Sequence, residues 1–228
     1  MFRIRTIHLR ASPTAILVMV LLLFSCSPLP FSLNHSAPGP IEPTPTSTGV
    51  EEPPVSQRHD DLLHLVGSDP ASVDNSRLSV TPVGELHVTG SAPDVDISNY
   101  RLAVDGLVDT PLTLTYEALM TCPAVTDVVL LICPGVFADN AEWTGVPVAT
   151  LLAEAGLKPG AGRVTFYALD GYRQTLSLEE VQRQGVFLAH TVDGQILPRD
   201  HGYPLRLVLK GKDGGSWLKW VTRVEVTS

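Results

Sequence analysis

Two features of this sequence have residue types suited to chemistry, and the first is a cysteine at the end of an apolar run. Cys133 follows five apolar residues, 128–132, and precedes a turn signalled by Pro134 and Gly135. A cysteine in such a place often packs as a small hydrophobic residue. A chain reversal after a strand, however, brings side chains to the rim of a sheet, where ligands reach them. A thiolate there would serve as a nucleophile or a metal ligand.

The second feature is a cluster of lysines and arginines in residues 199–223. Residues 199–223 hold six lysines and arginines against two aspartates, in a chain whose formal net charge is −8. Because guanidinium and ammonium groups are the usual partners of phosphate, this stretch predicts an anionic ligand. Arg206 and Lys219 lie between apolar neighbours and His201 adds a further donor, so these three are the candidate binding residues. The pattern around Lys210, Lys212 and Arg223 is typical of a solvated strand face.

The first residues are typical of an export signal. Residues 1–26 combine three arginines with an uncharged run of eleven residues, too short to span a bilayer comfortably, and end in "LFSC", which is similar to the lipobox of bacterial lipoproteins. We therefore expect Cys26 to carry lipid and to hold the protein on a membrane face of the bacterial envelope. Ordinary secretory cleavage and an uncleaved anchor are the alternatives.

Residues 27–77 are predicted to be a tether and linker, because proline, serine, threonine and glycine dominate most of this stretch. The folded domain is then expected over residues 78–228. Without the three arginines of the leader the net charge is −11. The sequence also has no basic array with interleaved aromatic residues, so we expect no nucleic acid among its partners.

The cysteine count leaves a structural alternative for Cys133. If Cys26 is lipidated, Cys122 and Cys133 are a pair in an oxidising compartment, where a disulfide between them is the ordinary expectation. A thiol–disulfide protein is a weaker alternative, because these cysteines lie eleven positions apart and do not form a Cys-x-x-Cys motif.

The order of predicted elements favours the α+β class. Alternating apolar residues predict a strand at 100–105, and continuous apolar residues predict a strand covered on both faces at 127–133. Residues 147–156 are typical of a helix with one apolar face that ends at Gly156. Further predicted elements are a hairpin turning at Asp170-Gly171, short helices capped by Thr115 and Ser177, and strands at 204–211 and 219–226.

Several of these segments together resemble the molybdopterin-binding domain of the sulfite oxidase family. The segments are "YRLAVDGLVDTPLTLT", "CPGVFADNAEWTGVPVATLLAEAG", "DGY", "LPRDHGYPLRLVL" and "KWVTRVEV", in this order. The resemblance extends from about residue 85 to residue 228. It implies the fold of that family, strand-rich mixed sheets with short helices.

The resemblance also implies a cofactor and roles for the candidate residues. Molybdenum held by molybdopterin would take Cys133 as its protein ligand, and His201, Arg206 and Lys219 would contact the pterin and its phosphate. His190, in "FLAH", stands where the family has an active-site tyrosine, which implies a catalytic role. The implied activity is oxygen-atom transfer to or from a small substrate, with a redox partner such as a haem protein exchanging electrons.

Departures from the family weaken the assignment of sulfite as the substrate. Residues 88–91, "VTGS", and the residues after Cys133, "PGVFADN", lack the cations with which sulfite oxidases receive the cofactor and the sulfite anion. A small uncharged or zwitterionic substrate such as a sulfoxide is therefore favoured. We expect a monomer, because no residues remain for the dimerisation domain of larger relatives.

The leader also departs from the family, since it reads "RIR" and lacks the adjacent arginine pair of the route that exports folded proteins. This departure favours an alternative function, a binding or scaffold module that keeps the fold without the cofactor. The retained Cys133, His201 and Arg206 oppose that alternative.

Overall fold

The computed structural model describes residues 60–228, which form two five-stranded sheets and three short α-helices. The predictions for the signal segment, the lipidation of Cys26 and most of the tether lie outside the described residues. None of the helices in residues 60–228 is long and apolar enough to cross a membrane. The strands are β1 (Leu102–Gly106), β2 (Leu112–Leu114), β3 (Val125–Cys133), β4 (Phe137–Pro147), β5 (Arg163–Ala168), β6 (Arg173–Ser177), β7 (Val186–Val192), β8 (Gln195–Ile196), β9 (Arg206–Leu209) and β10 (Val221–Thr227). The α-helices are α1 (Tyr116–Met120), α2 (Val148–Ala155) and α3 (Leu178–Val181).

The first sheet has the strand order β2-β1-β10-β5-β6, in which β1 and β10 are parallel and the other neighbours antiparallel. Its first strand forms where the sequence alternates, and Leu102 and Val104 are fully buried, as predicted. Gly106 ends β1 with a φ of 90°. A Cβ at this position would lie 2.1 Å from the carbonyl oxygen of Val226, so only glycine fits between β1 and β10.

The second sheet has the order β3-β4-β7-β8, with β9 also paired to β7. The inner part of β3 is buried on both faces, which confirms the prediction from its continuous apolar run. The sequence pattern did not predict β4 or β7. In β4 the polar residues Asp139, Asn140 and Glu142 interrupt the alternation, and their partners come from segments more than 50 residues away.

The register of the second sheet brings the residues of chemical interest to one face. Cys133 pairs with Phe137 in the β3–β4 hairpin, and Arg206 of β9 pairs with Ala189 of β7. Ala189 pairs in turn with Gly145 of β4. Because successive residues alternate between the faces of a sheet, this register gives one face a shared set of residues: Cys133, Asp139, Trp143 and Arg206.

The opposite face of β3 and β4 is covered by residues 60–85, called the strap below. Leu62 and Leu65 of the strap pack against apolar side chains of both strands. Asn75 donates from its amide to Oδ1 of Asn140 at 2.8 Å. The Asn140 side chain also donates back to strap carbonyls, so this buried amide is satisfied inside the packed layer.

The three α-helices have the ends and faces that the sequence predicts. The Thr115 hydroxyl accepts from the backbone N–H of Ala118 at the start of α1, and Ser177 and Glu180 form a capping box on α3. One face of α2 is buried, and the helix ends at Gly156 with a φ of 71°. Strand-rich mixed sheets with short helices confirm the predicted α+β class.

The close approach of β4 and β7 at Gly145 provides a test of this architecture. A Cβ at Gly145 would lie 2.1 Å from the carbonyl oxygen of Leu188 and 2.5 Å from Cα of Ala189, and both are backbone atoms. We expect Gly145→Ala to lower the free energy of unfolding by about 3 kcal/mol or more, because neither strand can move without breaking the ladder. Urea denaturation followed by tryptophan fluorescence measures the change.

Gly84→Ala is the matched control, because a Cβ there would meet nothing within 4 Å. Its effect should stay within about 0.5 kcal/mol. Equal effects of the two variants would contradict the observed register of β4 and β7.

Candidate functional site

Cys133 is the last residue of β3, and its thiol is half-buried and free. A disulfide between Cys122 and Cys133, the alternative left open by the cysteine count, is therefore wrong. Cys122 precedes β3, and the nine residues of that strand separate it from Cys133. Nine extended residues span roughly 30 Å, far more than a disulfide can bridge. The same distance excludes the hypothesis of a thiol–disulfide protein whose redox pair is Cys122 and Cys133.

A cavity of about 210 Å³ lies beside this end of β3. One wall consists of residues 89–91, a second is the β5–β6 turn with Asp170 and Tyr172, and a third belongs to the stretch 214–220. Gly214 in the third wall packs against the strand end, since a Cβ there would lie 3.7 Å from Cα of Cys133. The free thiol and the cavity are therefore neighbours.

Arg206 reaches the cavity from β9 and is buried there. Its guanidinium carbon lies 5.1 Å from the ring centroid of Trp143 and 5.4 Å from that of Trp217, so the cation is held against two aromatic faces. Nη1 donates to the carbonyl oxygen of His201 at 2.9 Å. Burial lowers the pKa of Arg206 to about 10, and the charge of Asp139 opposes that effect. The guanidinium thus stays charged at neutral pH.

The Nε–H of Arg206 is buried without a hydrogen-bond acceptor among residues 60–228. Within residues 60–228, no carboxylate lies close enough to Arg206 for an ion pair. A buried, charged N–H without an acceptor costs free energy, so the site suits a ligand that brings an acceptor. A phosphate oxygen is such an acceptor, and the geometry therefore fits the phosphorylated cofactor implied by the sequence.

Lys219 and His201 lie next to Arg206. Lys219 donates through Nζ to the carbonyl oxygens of Thr89, at 2.7 Å, and Asp200, at 2.6 Å. Burial and then the charge of Arg206 lower the pKa of Lys219 to about 8. Burial, followed by the charges of Arg206 and Lys219, lowers the pKa of His201 to about 4, so its ring is neutral at pH 7.

Gly202 allows Arg206 and Lys219 to lie close together. Its φ is 118°, and a Cβ there would lie 3.1 Å from Cβ of Arg206 and 3.2 Å from Cα of Lys219. The structure therefore brings together the three binding residues predicted from the sequence, His201, Arg206 and Lys219.

His190 lies in β7, next to Ala189, at a bulge where β7 carries one residue more than β4. Its side chain is buried, its Nδ1 has no hydrogen-bond partner in the described part of the chain, and burial lowers its pKa. His190 does not line the cavity of Arg206 and Lys219. Its catalytic role stays a prediction.

Sequence reasoning missed the two tryptophans that hold Arg206, whereas residues 89–91, which line the cavity, belong to the stretch that the family resemblance had already singled out. The position of Trp143 could have been predicted from its spacing. It lies ten residues after Cys133 across a hairpin turn, and this even spacing places both side chains on one face of the sheet. The position of Trp217 could not have been predicted in this way, since the 3₁₀ turn before it belongs to neither sheet.

Sequence comparison relates the chain to proteins of known function. The family described as oxidoreductase molybdopterin binding domain matches residues 89–228. The nitrate reductase (NADPH) of Beauveria bassiana is 32% identical over 163 residues, which cover 60% of this chain and 18% of that protein. The nitrate reductase (NADPH) of Phytophthora infestans is 29% identical over 223 residues, which cover 82% of this chain and 24% of that protein.

A solved structure agrees with these matches. The sulfane dehydrogenase SoxCD of Paracoccus pantotrophus is similar to this chain with a TM-score of 0.61 and 29% identity, over 69% of this chain and 45% of that chain. The chain thus spans less than half of the SoxCD chain and no more than about a quarter of either nitrate reductase.

The low pKa of His201 predicts a pH-dependent stability. The pKa falls from 6.5 to about 4 on folding, so below pH 6.5 the unfolded chain takes up a proton that the folded protein excludes. Above pH 6.5 this proton uptake does not reduce the free energy of unfolding. As the pH falls to 4, the free energy of unfolding decreases by up to about 3 kcal/mol for this reason. Wild type should therefore lose more free energy of unfolding between pH 7 and pH 4 than His201→Gln does. Urea denaturation at a series of pH values measures both, and identical pH slopes would contradict a buried neutral imidazole.

Proposed function

Because the chain belongs to the family of oxidoreductase molybdopterin binding domains, we propose that it is a molybdenum-dependent oxidoreductase that transfers an oxygen atom to or from a small substrate. One observation carries the proposal. Arg206, which has an unpartnered Nε–H within residues 60–228, and Lys219 line one cavity, and Gly214 of the same cavity packs against the backbone of Cys133, whose thiol is free. An anion-binding pocket beside a soft sulfur ligand provides the two parts needed to hold a phosphorylated metal cofactor.

Cys133 would supply the protein ligand to the metal. A deprotonated thiolate suits a metal that prefers sulfur ligands. The last position of a paired strand fixes the direction of the sulfur, because β3 is hydrogen-bonded to β4 up to Cys133 itself. When bound, the cofactor supplies two-electron redox chemistry at molybdenum, coupled to the movement of one oxygen atom.

Arg206 and Lys219 would hold the phosphate of the cofactor. Trp143 and Trp217 hold the guanidinium, and within residues 60–228 its hydrogen bond goes from Nη1 to His201, which leaves the other guanidinium N–H groups without an acceptor. Lys219 has two of its three donors on carbonyl oxygens and keeps one for the ligand. The neutral ring of His201 can donate or accept a hydrogen bond towards the pterin.

For the substrate we propose a small uncharged or zwitterionic molecule, such as a sulfoxide, in preference to sulfite. The wall formed by residues 89–91 carries no charge, and the opposite wall adds the carboxylate of Asp170. Arg206 and Lys219 are the cations that line the cavity, and the phosphate would occupy both. An additional anion would then enter without a cation to neutralise it, which an acidic protein disfavours.

Electrons would reach this domain from a separate redox partner, such as a haem protein. Residues 60–228 contain no cluster of three or more histidine, cysteine or acidic side chains that could hold a metal ion. We also propose that the protein is a monomer in the bacterial envelope, held to the membrane by lipid on Cys26. The lipobox-like sequence at residues 23–26 supports this placement.

The uncharged wall at residues 89–91 favours a second candidate, a cofactor-free binding or scaffold module. In that case Arg206 and Lys219 would bind a different anion. The metal content of protein purified from its own host separates the two candidates, as follows.

Cys133→Ser tests the metal site. Wild-type protein from its host should contain about one molybdenum per chain by elemental analysis, and Cys133→Ser should contain less than roughly a tenth of that, because a hydroxyl does not replace a thiolate as a soft ligand. Val136→Ala, an exposed position in the same turn, should keep the metal. Wild-type protein without molybdenum would instead support the scaffold candidate.

Arg206→Lys tests the phosphate grip. Lysine keeps the positive charge but loses the fork of N–H donors and the contact of a planar guanidinium with two tryptophan rings, so cofactor retention during dialysis should fall by about tenfold or more. Pterin released into the dialysate reports the loss. Retention equal to wild type would show that the phosphate binds elsewhere.

A further inference from the structure

Asp139 and His87 form a pair near the cavity that none of the roles above uses. Asp139 is only 1% exposed and lies on the face of the second sheet that carries Cys133 and Arg206. Nδ1 of His87 lies 2.8 Å from Oδ1 of Asp139, and the backbone N–H of His87 donates to Oδ2 at 2.9 Å. Because an ionised carboxylate only accepts, His87 is the donor in both hydrogen bonds.

The ring of His87 is held by stacking as well. It lies nearly parallel to the ring of Phe137, at an angle of 9° and a centroid distance of 4.5 Å. Phe137 pairs with Cys133 in the β3–β4 hairpin. The pair and the stack are therefore at the end of the hairpin where the free thiol lies.

The backbone fixed by His87 leads directly into a cavity wall. Residues 89–91 line the cavity and are exposed, and a Cβ at Gly90 would meet nothing within 4 Å. Thr89 is held through its carbonyl oxygen, which accepts from Lys219 at 2.7 Å. The contacts of His87 thus anchor the chain just before the point where Lys219 grips it.

Asp139 also acts on the cation of the cavity. Its negative charge favours the charged form of the buried Arg206 and so opposes the lowering of the Arg206 pKa by burial. It does so without an ion pair, so it occupies none of the guanidinium N–H groups. The Asp139 carboxylate therefore acts on the cavity in two ways. It holds His87, which precedes the wall formed by residues 89–91, and its charge acts on Arg206.

We propose that the His87–Asp139 pair is a positioning device that clasps residues 89–91 against Lys219 and so sets how tightly the cavity holds a phosphorylated ligand. The identity of that ligand rests on the proposed function. The clasp itself rests on the contacts of His87, Asp139 and Lys219 alone.

Two substitutions of His87 separate the hydrogen bond from the stacking. His87→Phe keeps a ring to stack on Phe137 but removes the donor to Asp139, whereas His87→Asn keeps an N–H donor near the position of Nδ1. In the full-length protein, we expect His87→Phe to exchange the backbone amide of residue 87, which donates to Asp139, about tenfold faster than wild type. His87→Asn should stay within about threefold of wild type, because a neutral amide replaces the imidazole donor.

Phosphate affinity is the second measurement, with inorganic phosphate as the probe. The three tryptophans of the chain, at positions 143, 217 and 220, lie at or beside the cavity, so their fluorescence reports binding. His87→Phe should weaken phosphate binding by about tenfold, because Lys219 loses a fixed partner and is no longer preorganised. His87→Asn should again resemble wild type, and this rescue would not follow from general damage to the fold.

His64→Phe is the matched control, because it makes the same change at an exposed residue of the strap. It should leave both measurements unchanged. Asp139→Asn is the second variant if His87→Phe does not fold, since it keeps the shape of the side chain and should speed exchange of the residue 87 amide in the same way.

A folded His87→Phe protein with wild-type exchange and wild-type phosphate affinity would overturn the proposal. Failure of the proposed function has a different signature: wild-type protein from its host would lack molybdenum, while exchange and phosphate binding would still respond to His87. Wild-type protein that binds no phosphate would overturn the role of the clasp in ligand affinity.

Discussion

A guanidinium held inside the protein without a carboxylate partner is the constraint on which the site depends. Arg206 is buried beside the T-shaped pair of Trp143 and Trp217 and donates one hydrogen bond to a backbone carbonyl. Removing a cation from water costs several kcal/mol even after relaxation. The aromatic faces, the carbonyl oxygen and the more distant Asp139 offset part of that cost. The part that remains favours a bound anion, because an acceptor on the ligand completes the hydrogen bonding that the protein leaves open.

The cavity lies at the junction of the two sheets, and each sheet supplies a different part of it. The second sheet supplies Arg206, with Cys133 packed behind Gly214 of the lining, and the first supplies the β5–β6 turn. The stretch between β9 and β10 joins them. Leu207 of β9 donates to Leu218 at 2.7 Å, and Val221 of β10 donates to Leu205 at 2.9 Å. The position of Lys219 is therefore fixed by both sheets at once, which keeps its ammonium beside Arg206.

Much of this arrangement could be predicted from the sequence, because several signals are local. Cys133 at a strand end, and Arg206 and Lys219 between apolar neighbours, identified the three central side chains, and the family predicted from the motifs is confirmed. The failures involve contacts between distant segments. The alternative of a Cys122–Cys133 disulfide was wrong, because the two cysteines are close in sequence but the extended nine-residue strand β3 holds them far apart in space. The His87–Asp139 pair joins residues 52 positions apart, and neither residue carries a local pattern that indicates the other.

The central place of β10 in the first sheet bears on when the protein acquires its site during synthesis. β10 lies between β1 and β5, and the residues just before it, Lys219 and Trp220, form part of the cavity. A ribosome that has produced everything up to residue 216 has therefore made the thiol and the buried arginine but not the strand that joins the halves of the first sheet. Such long-range pairing closes late and cooperatively. A chain without β10 would thus have an incomplete cavity, and cofactor loading would follow the synthesis and pairing of this strand.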